Sequence, residues 1–197
     1  MKILIYGSTY LTEVVCNYLK KEFNLVGYVP SNNPFIGGNI QLPRVENVED
    51  CPHDIKLSIQ YDKKIIDHEN AYNVHTGLLP LWGGCDIMYH TLKEGAKEQG
   101  ITFHKMTDQI DYGPIISKIT YPIFESDGVL ELYKKQSSIA PGFVASSLRL
   151  LEQIGENNVS KCILRKPRIF RKRKNISPED ILEYEETGKK LIKEFQK

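Results

Sequence analysis

The stretch KILIYGSTYLTEVVCNYLKKEFNLVGYV, residues 2–29, constrains this chain more than any other part of it. KILIYG is a short β-rich run that stops at a glycine. After it, Leu11, Val14, Val15, Tyr18 and Leu19 keep the i, i+3, i+4, i+7 spacing of one helical face. Ser8 or Thr9 is placed to cap that helix. FNLVGYV then reads as a second strand. Strand, glycine turn, helix and strand make a βαβ unit, and such a unit demands a parallel sheet covered by helices. The turn also sets the backbone N–H groups of Gly7, Ser8 and Thr9 at a helix N-terminus, a natural cradle for a substrate phosphate. The sequence YGST, however, matches neither GxGxxG nor the P-loop pattern.

The remaining elements extend this start. PSNNPFIGGNIQLP (30–43) is a loop by its proline, glycine and asparagine content. IKLSIQY and AYNVH offer a third and fourth strand. Cys85 to Gly95 is helix-like and closes on a glycine. GITFHKM and PIISKITYPIF are two further strands, joined by the loop TDQIDYG. Gly128 to Ile154 is a long amphipathic helix in which Pro141-Gly142 should produce a kink or a break. Ser177-Pro178-Glu179-Asp180 starts a terminal helix reaching about Phe195. The expected organisation is one domain over residues 1–155 and a short extension over 156–197.

Charge is unevenly spread along the chain. Lys161 to Lys174 holds eight basic residues and no acid; subtracting them from the net +1 leaves −7 on the rest. A basic strip on an acidic body suits an anionic partner, either a nucleotide diphosphate gripped by Arg and Lys or, in a salt-dependent way, a tRNA backbone. Partial strand-like alternation of Ile163, Leu164, Ile169 and Phe170 expects part of the strip to pack, and these apolar stretches leave room for a homodimer. The four cysteines show no CxxC pairing and no histidine at ligand spacing, so free thiols and no metal are expected. No run approaches the length of a membrane span, and the reading is of a soluble, cytoplasmic protein without a membrane partner.

Polar side chains converge where strands end. In AYNVH, Asn73 and His75 sit two residues apart and therefore on one strand face. They are expected just beyond the end of the sheet, where open α/β folds bind ligands. Asp111 arrives from a later loop. An amide donates to an oxyanion; a protonated imidazole stabilises it or passes a proton; a carboxylate orients the imidazole and raises its pKa. No GxSxG-type nucleophile is present, so direct transfer is favoured over an acyl-enzyme.

Asn73-Val74-His75, Leu78-Leu79-Pro80, Gly84, the run Gly100-Ile101-Thr102-Phe103-His104-Lys105-Met106 and Ile110-Asp111-Tyr112-Gly113 together resemble the folate-dependent formyltransferase family over roughly residues 1 to 150. The resemblance implies a Rossmann-like, doubly wound, mostly parallel sheet flanked by helices, followed here by the basic extension with its terminal helix. It implies N10-formyltetrahydrofolate as co-substrate and catalysis by Asn73, His75 and Asp111. Tyr61, Asp62, Lys63 and Lys64, with Gln109, Ile110 and Gly113, would wrap the pterin. Gly7, Ser8, Thr9, Trp82 and His104 are the candidate substrate contacts.

Three features bear on the acceptor amine. His104-Lys105-Met106 and Ser58-Ile59-Gln60-Tyr61 resemble the branch acting on nucleotide-linked amino sugars. The chain after the core is too short for the C-terminal barrel of methionyl-tRNA enzymes, and YGSTYL lacks the phosphate loop of glycinamide ribonucleotide enzymes. The sugar acceptor is therefore favoured, with those two activities, a 10-formyltetrahydrofolate hydrolase and a non-catalytic folate- or nucleotide-binding domain as alternatives. Trp82-Gly83-Gly84 departs from the family pattern, which carries an arginine before the glycine.

Overall fold

A computed structural model describes residues 1–31, 37–162 and 164–170. The expected terminal helix and the basic residues Arg171 to Lys174 lie outside this range. In chain order the elements are β1 (Lys2–Tyr6), α1 (Tyr10–Leu19), β2 (Asn24–Val29), a 3-10 turn (Val48–Asp50), β3 (Ile55–Ile59), β4 (Ala71–His75), β5 (Gly83–Gly84), α2 (Ile87–Lys93), β6 (Glu98–Lys105), β7 (Ile115–Pro122), α3 (Val129–Ile154), α4 (Glu156–Val159) and β8 (Ile169–Phe170).

Six strands form one sheet in the order β2-β1-β3-β4-β6-β7, while β5 and β8 pair as a separate two-stranded ribbon. The pairs β1–β2, β1–β3 and β3–β4 are parallel, as the opening βαβ unit demands. The pairs β4–β6 and β6–β7 are antiparallel, so the sheet is mixed.

Alternation along each strand divides the side chains between two faces. Ile3, Ile5, Ile55, Leu57, Ile59, Tyr72, Val74, Ile101 and Phe103 join Leu11, Val15 and Leu19 of α1 and Tyr133, Ala140, Val144 and Leu148 of α3 in the main core. Leu4 and Tyr6 point the other way. They meet Ile65, Val45, Val48, Cys51, Tyr61 and Met106, all carried by connecting segments. Chain direction reverses between the β1–β2 and β2–β3 crossovers, and right-handed crossovers must then use opposite faces. Among the described residues, the segments packed on Leu4 and Tyr6 from outside the sheet are loops and a 3-10 turn. The 60–70 connection is too short to fold into a helix that would span this face and return to β4.

Two sequence expectations meet different fates in the helices. Thr9 caps α1: its hydroxyl accepts from the Thr12 N–H at 3.3 Å, and the Thr12 hydroxyl accepts from the Thr9 N–H at 3.3 Å. At Pro141 no break occurs, and α3 runs through it from Val129 to Ile154. An interior proline costs a helix about 3 kcal/mol or more. Here the turns on both sides, at Leu132, Tyr133, Val144, Ala145 and Leu148, are buried against the rest of the protein, and that packing keeps the two halves in one helix.

The start of the extension is docked on the body. Val159 is buried in the main core, and the Glu156 carboxylate accepts from the Lys105 ammonium (3.1 Å) and the Tyr72 hydroxyl (3.3 Å). Of the basic strip, Arg168 forms a two-pronged ion pair with Glu94 and lies over the Phe170 ring. No helix among the described residues is long and apolar enough to cross a membrane.

Candidate functional site

The loop-covered face of the sheet carries an unusual number of polar side chains. Opposite the apolar positions of β3, β4 and β6 stand Lys56, Ser58, Asn73, His75, Thr102 and His104, and all but Asn73 are buried. Lys56 pairs with the exposed carboxylate of Asp67. His75 and His104 converge on Asp111, and Asn73 touches His104. Thus Asn73 and His75 do share a face, as their spacing requires, but they lie on the sheet under its loops rather than beyond its end.

Two short segments build this cover. The first is residues 76–84, pinned to β6 by Thr102. Its hydroxyl donates to the Gly77 carbonyl (2.7 Å) and accepts from the Leu79 N–H (3.0 Å). A Cβ on Gly77 would come within 2.7 Å of the His75 ring, so only glycine lets the turn close over the imidazole. The second is the 106–114 connection between β6 and β7. It folds back so tightly that a Cβ on Gly113 would stand 1.7 Å from the Lys105 carbonyl oxygen. That return places Asp111, held at φ +53°, against both β4 and β6.

Asp111 is the hub. Its Oδ2 accepts the Gly84 backbone N–H at 2.6 Å. Its Oδ1 lies 3.5 Å from His75 Nδ1 and 3.7 Å from His104 Nε2. Burial pushes the Asp111 carboxyl up, but in acid the protonated His75 and His104 rings, with the Gly84 N–H, outweigh it and hold the group down at about 2. The site therefore carries a fixed negative charge at neutral pH.

His75 is oriented from the opposite side. A carbonyl oxygen only accepts, so the 2.6 Å contact with Trp82 O fixes the proton on Nε2. Nδ1 is then the nitrogen that exchanges a proton, and it faces Asp111. Burial lowers the His75 pKa, with His104 adding to the fall; Asp111 and the Trp82 carbonyl pull it back only in part. At rest the ring is a neutral base beside a carboxylate.

The remaining candidates fall into separate places. His104 is buried and touches Asn73 Nδ2 at 3.3 Å. The Trp82 side chain stacks on Phe170 (centroids 5.2 Å apart), away from the imidazole, while its carbonyl enters the site. Tyr61 packs edge-on against Tyr6, and Asp62 accepts from the Ser31 hydroxyl at 2.8 Å. Lys63, Lys64, Gln109 and Ile110 are exposed on the loops that border the site. In the β1–α1 turn, Gly7 fits because a Cβ would lie 2.2 Å from Ile59 O. The Ser8 hydroxyl bonds to Ser31, and the Thr9 hydroxyl donates to Gln60 Oε1 at 2.8 Å. Much of that turn's polarity is used internally.

Sequence reasoning missed the Trp82 carbonyl, the Gly84 N–H and the clasp made by Thr102. Backbone groups leave no mark in residue identity. Thr102 is detectable in principle, since it alternates with the apolar Ile101 and Phe103 and so faces the same side as the candidate His104.

Comparison with known proteins adds an independent line. The family model described as formyl transferase matches residues 63–145, which contain Asn73, His75, His104 and Asp111. The methionyl-tRNA formyltransferase of Wigglesworthia glossinidia brevipalpis is 37% identical over 102 residues, 51% of this chain and 31% of that protein. The chain thus spans about a third of the length of such relatives, with 34% in the Janthinobacterium sp. (strain Marseille) protein. Among solved structures, WlaRD, a sugar 3N-formyl transferase crystallised with dTDP and 5-N-formyl-THF, superposes with a TM-score of 0.70 at 19% identity, covering 95% of this chain and 77% of that one. The N-formyltransferase from Helicobacter canadensis, complexed with folinic acid and dTDP-3-aminofucose, gives 0.70 at 20% identity over 95% and 78%.

Proposed function

We propose that this chain, whose residues 63–145 match the formyl transferase model, transfers a formyl group from N10-formyltetrahydrofolate to the amine of a nucleotide-linked amino sugar. The observation that carries the chemistry is the meeting of buried His75 with Asp111, His75 Nδ1 lying 3.5 Å from the ionised carboxylate, with Asn73 on the same strand face. The sugar acceptor is supported by fold neighbours that match nearly the whole chain and bind dTDP or a dTDP-amino sugar.

The charges suggest an order of steps. The acceptor arrives as an ammonium, attracted by Asp111. It gives one proton to His75 Nδ1, which becomes an imidazolium paired with that carboxylate. The free amine then attacks the formyl carbon, and the carbonyl electron pair moves onto oxygen. The Asn73 N–H and the imidazolium stabilise this oxyanion. On collapse the bond from carbon to N10 breaks, N10 takes the proton from His75, and the new formamide loses its second proton to solvent. The products are the formylated amine, tetrahydrofolate and one released proton. Holding amine and formyl donor together is worth up to roughly 7–11 kcal/mol in well-oriented systems.

A second reading, formylation of methionyl-tRNA, has a specific observation in its favour, the sequence match to methionyl-tRNA formyltransferases. Thermal stability with a folate analogue, with dTDP-, UDP- and GDP-amino sugars and with methionyl-tRNA, each followed by mass analysis of the amine, separates the two. Saturation at about a hundredfold over Kd stabilises by about 2.7 kcal/mol. A formylated sugar nucleotide upholds the first reading and formylated methionyl-tRNA the second; no folate-induced shift and no product overturns both.

A further inference from the structure

We propose that His104 is a positioning residue: it fixes the Asn73 amide with a hydrogen toward the oxyanion and keeps the site's one mobile proton on His75. The inference rests on the formyl-transfer reading but is carried by geometry that the reading does not use.

The two imidazoles are arranged alike around Asp111. His75 donates its Nε2–H to the Trp82 carbonyl at 2.6 Å. His104 donates its Nδ1–H to the Lys105 carbonyl at 2.9 Å, and a carbonyl leaves no choice about who donates. Each ring therefore turns a lone pair toward the same atom, Asp111 Oδ1, at 3.5 Å for His75 and 3.7 Å for His104. A proton entering this space has two possible seats.

Asn73 decides between them. Its amide nitrogen lies 3.3 Å from His104 Nε2, which in the neutral ring can only accept. One Asn73 N–H is spent there, and the second is left for the substrate oxygen. The same bond occupies the His104 lone pair, so the incoming proton goes to His75. Protonation of His104 would put two donors face to face. The amide would have to turn its oxygen toward the ring, and the site would lose its oxyanion donor while Asp111 became tied to the wrong imidazolium. Of the other charged groups near His104, Lys105 directs its ammonium to Glu156, leaving Asp111 and His75 as the titrating neighbours.

Two variants and one spectrum test this. His104→Ala frees the Asn73 amide and should lower kcat at least about tenfold, with KM for the folate little changed, since losing one aligned oxyanion donor costs roughly 10²–10³. His104→Gln offers an oxygen near the Nε2 position, accepts from Asn73 and cannot titrate. It should recover much of kcat. Long-range proton–nitrogen spectra of the wild-type rings should show neutral His104 protonated at Nδ1 and bare at Nε2. A neutral His104 protonated at Nε2 overturns the proposal, as does His104→Ala with unchanged kcat, or His104→Gln with kcat no higher than that of His104→Ala. If the wild type transfers no formyl group, the functional reading fails by itself, and the ring spectrum still decides the placement of His104.

Discussion

Asp111 offers a sharp test because its charge and its backbone conformation can be separated. The residue sits at φ +53°, a region that Asn and Asp tolerate and most residues do not. Asp111→Asn keeps the conformation and an oxygen for the Gly84 N–H but removes the charge. Asp111→Ala removes both and adds left-handed strain of about 1 kcal/mol. In the folded protein the Asp111 carboxyl is held at about 2, below the ordinary 3.8. At ~1.36 kcal/mol per pKa unit this stabilises the fold by on the order of 2 kcal/mol. A depressed carboxylate contributes fully above its unfolded pKa and loses the contribution as pH falls through its folded pKa. Urea unfolding of wild type and Asp111→Asn should therefore differ by on the order of 2 kcal/mol at pH 5, and the gap should close between about pH 4 and pH 2. A gap that stays constant from pH 5 to pH 2 would refute the claim that the Gly84 N–H and the two imidazoles anchor an ionised Asp111.

Other perturbations test the rest of the arrangement. Asn73→Ala should reduce kcat for formyl transfer by roughly 10²–10³ while a folate analogue still raises the melting temperature, as expected of a group used mainly at the oxyanion. Because burial lowers the His75 pKa below its ordinary value, the unfolded chain takes up that proton first, so stability should begin to fall as pH drops through about 6.5; His75→Gln should remove this step from the stability–pH curve. Gly113→Ala puts a Cβ 1.7 Å from the Lys105 carbonyl and should displace the Asp111 loop, with loss of activity and a lowered melting temperature. Thr9→Ala should destabilise by about 0.5–2 kcal/mol through the lost α1 cap, measured by denaturant midpoint at constant m.

Local sequence determined a good deal of this protein. The β1–α1–β2 unit, the Thr9 cap and the glycine at the end of the α2 segment follow from periodicity and turn chemistry, because they depend on neighbours within a few residues. The shared face of Asn73 and His75 is likewise a property of one strand. Other features depended on what packs from elsewhere. Pro141 reads as a kink or a break, yet α3 continues through it, packed against the core on both sides. Burial of the site under loops follows from the crossover directions and the shortness of the 60–70 connection, neither of which any single residue records. The pairing of Asn73 with His104 needed the antiparallel register of β4 and β6. The proton position on His75 needed a backbone carbonyl seven residues away. Residue types carry side-chain chemistry along the chain, but a backbone donor or acceptor is the same at every position. Which of them faces an imidazole is settled only when the tertiary fold brings the two together.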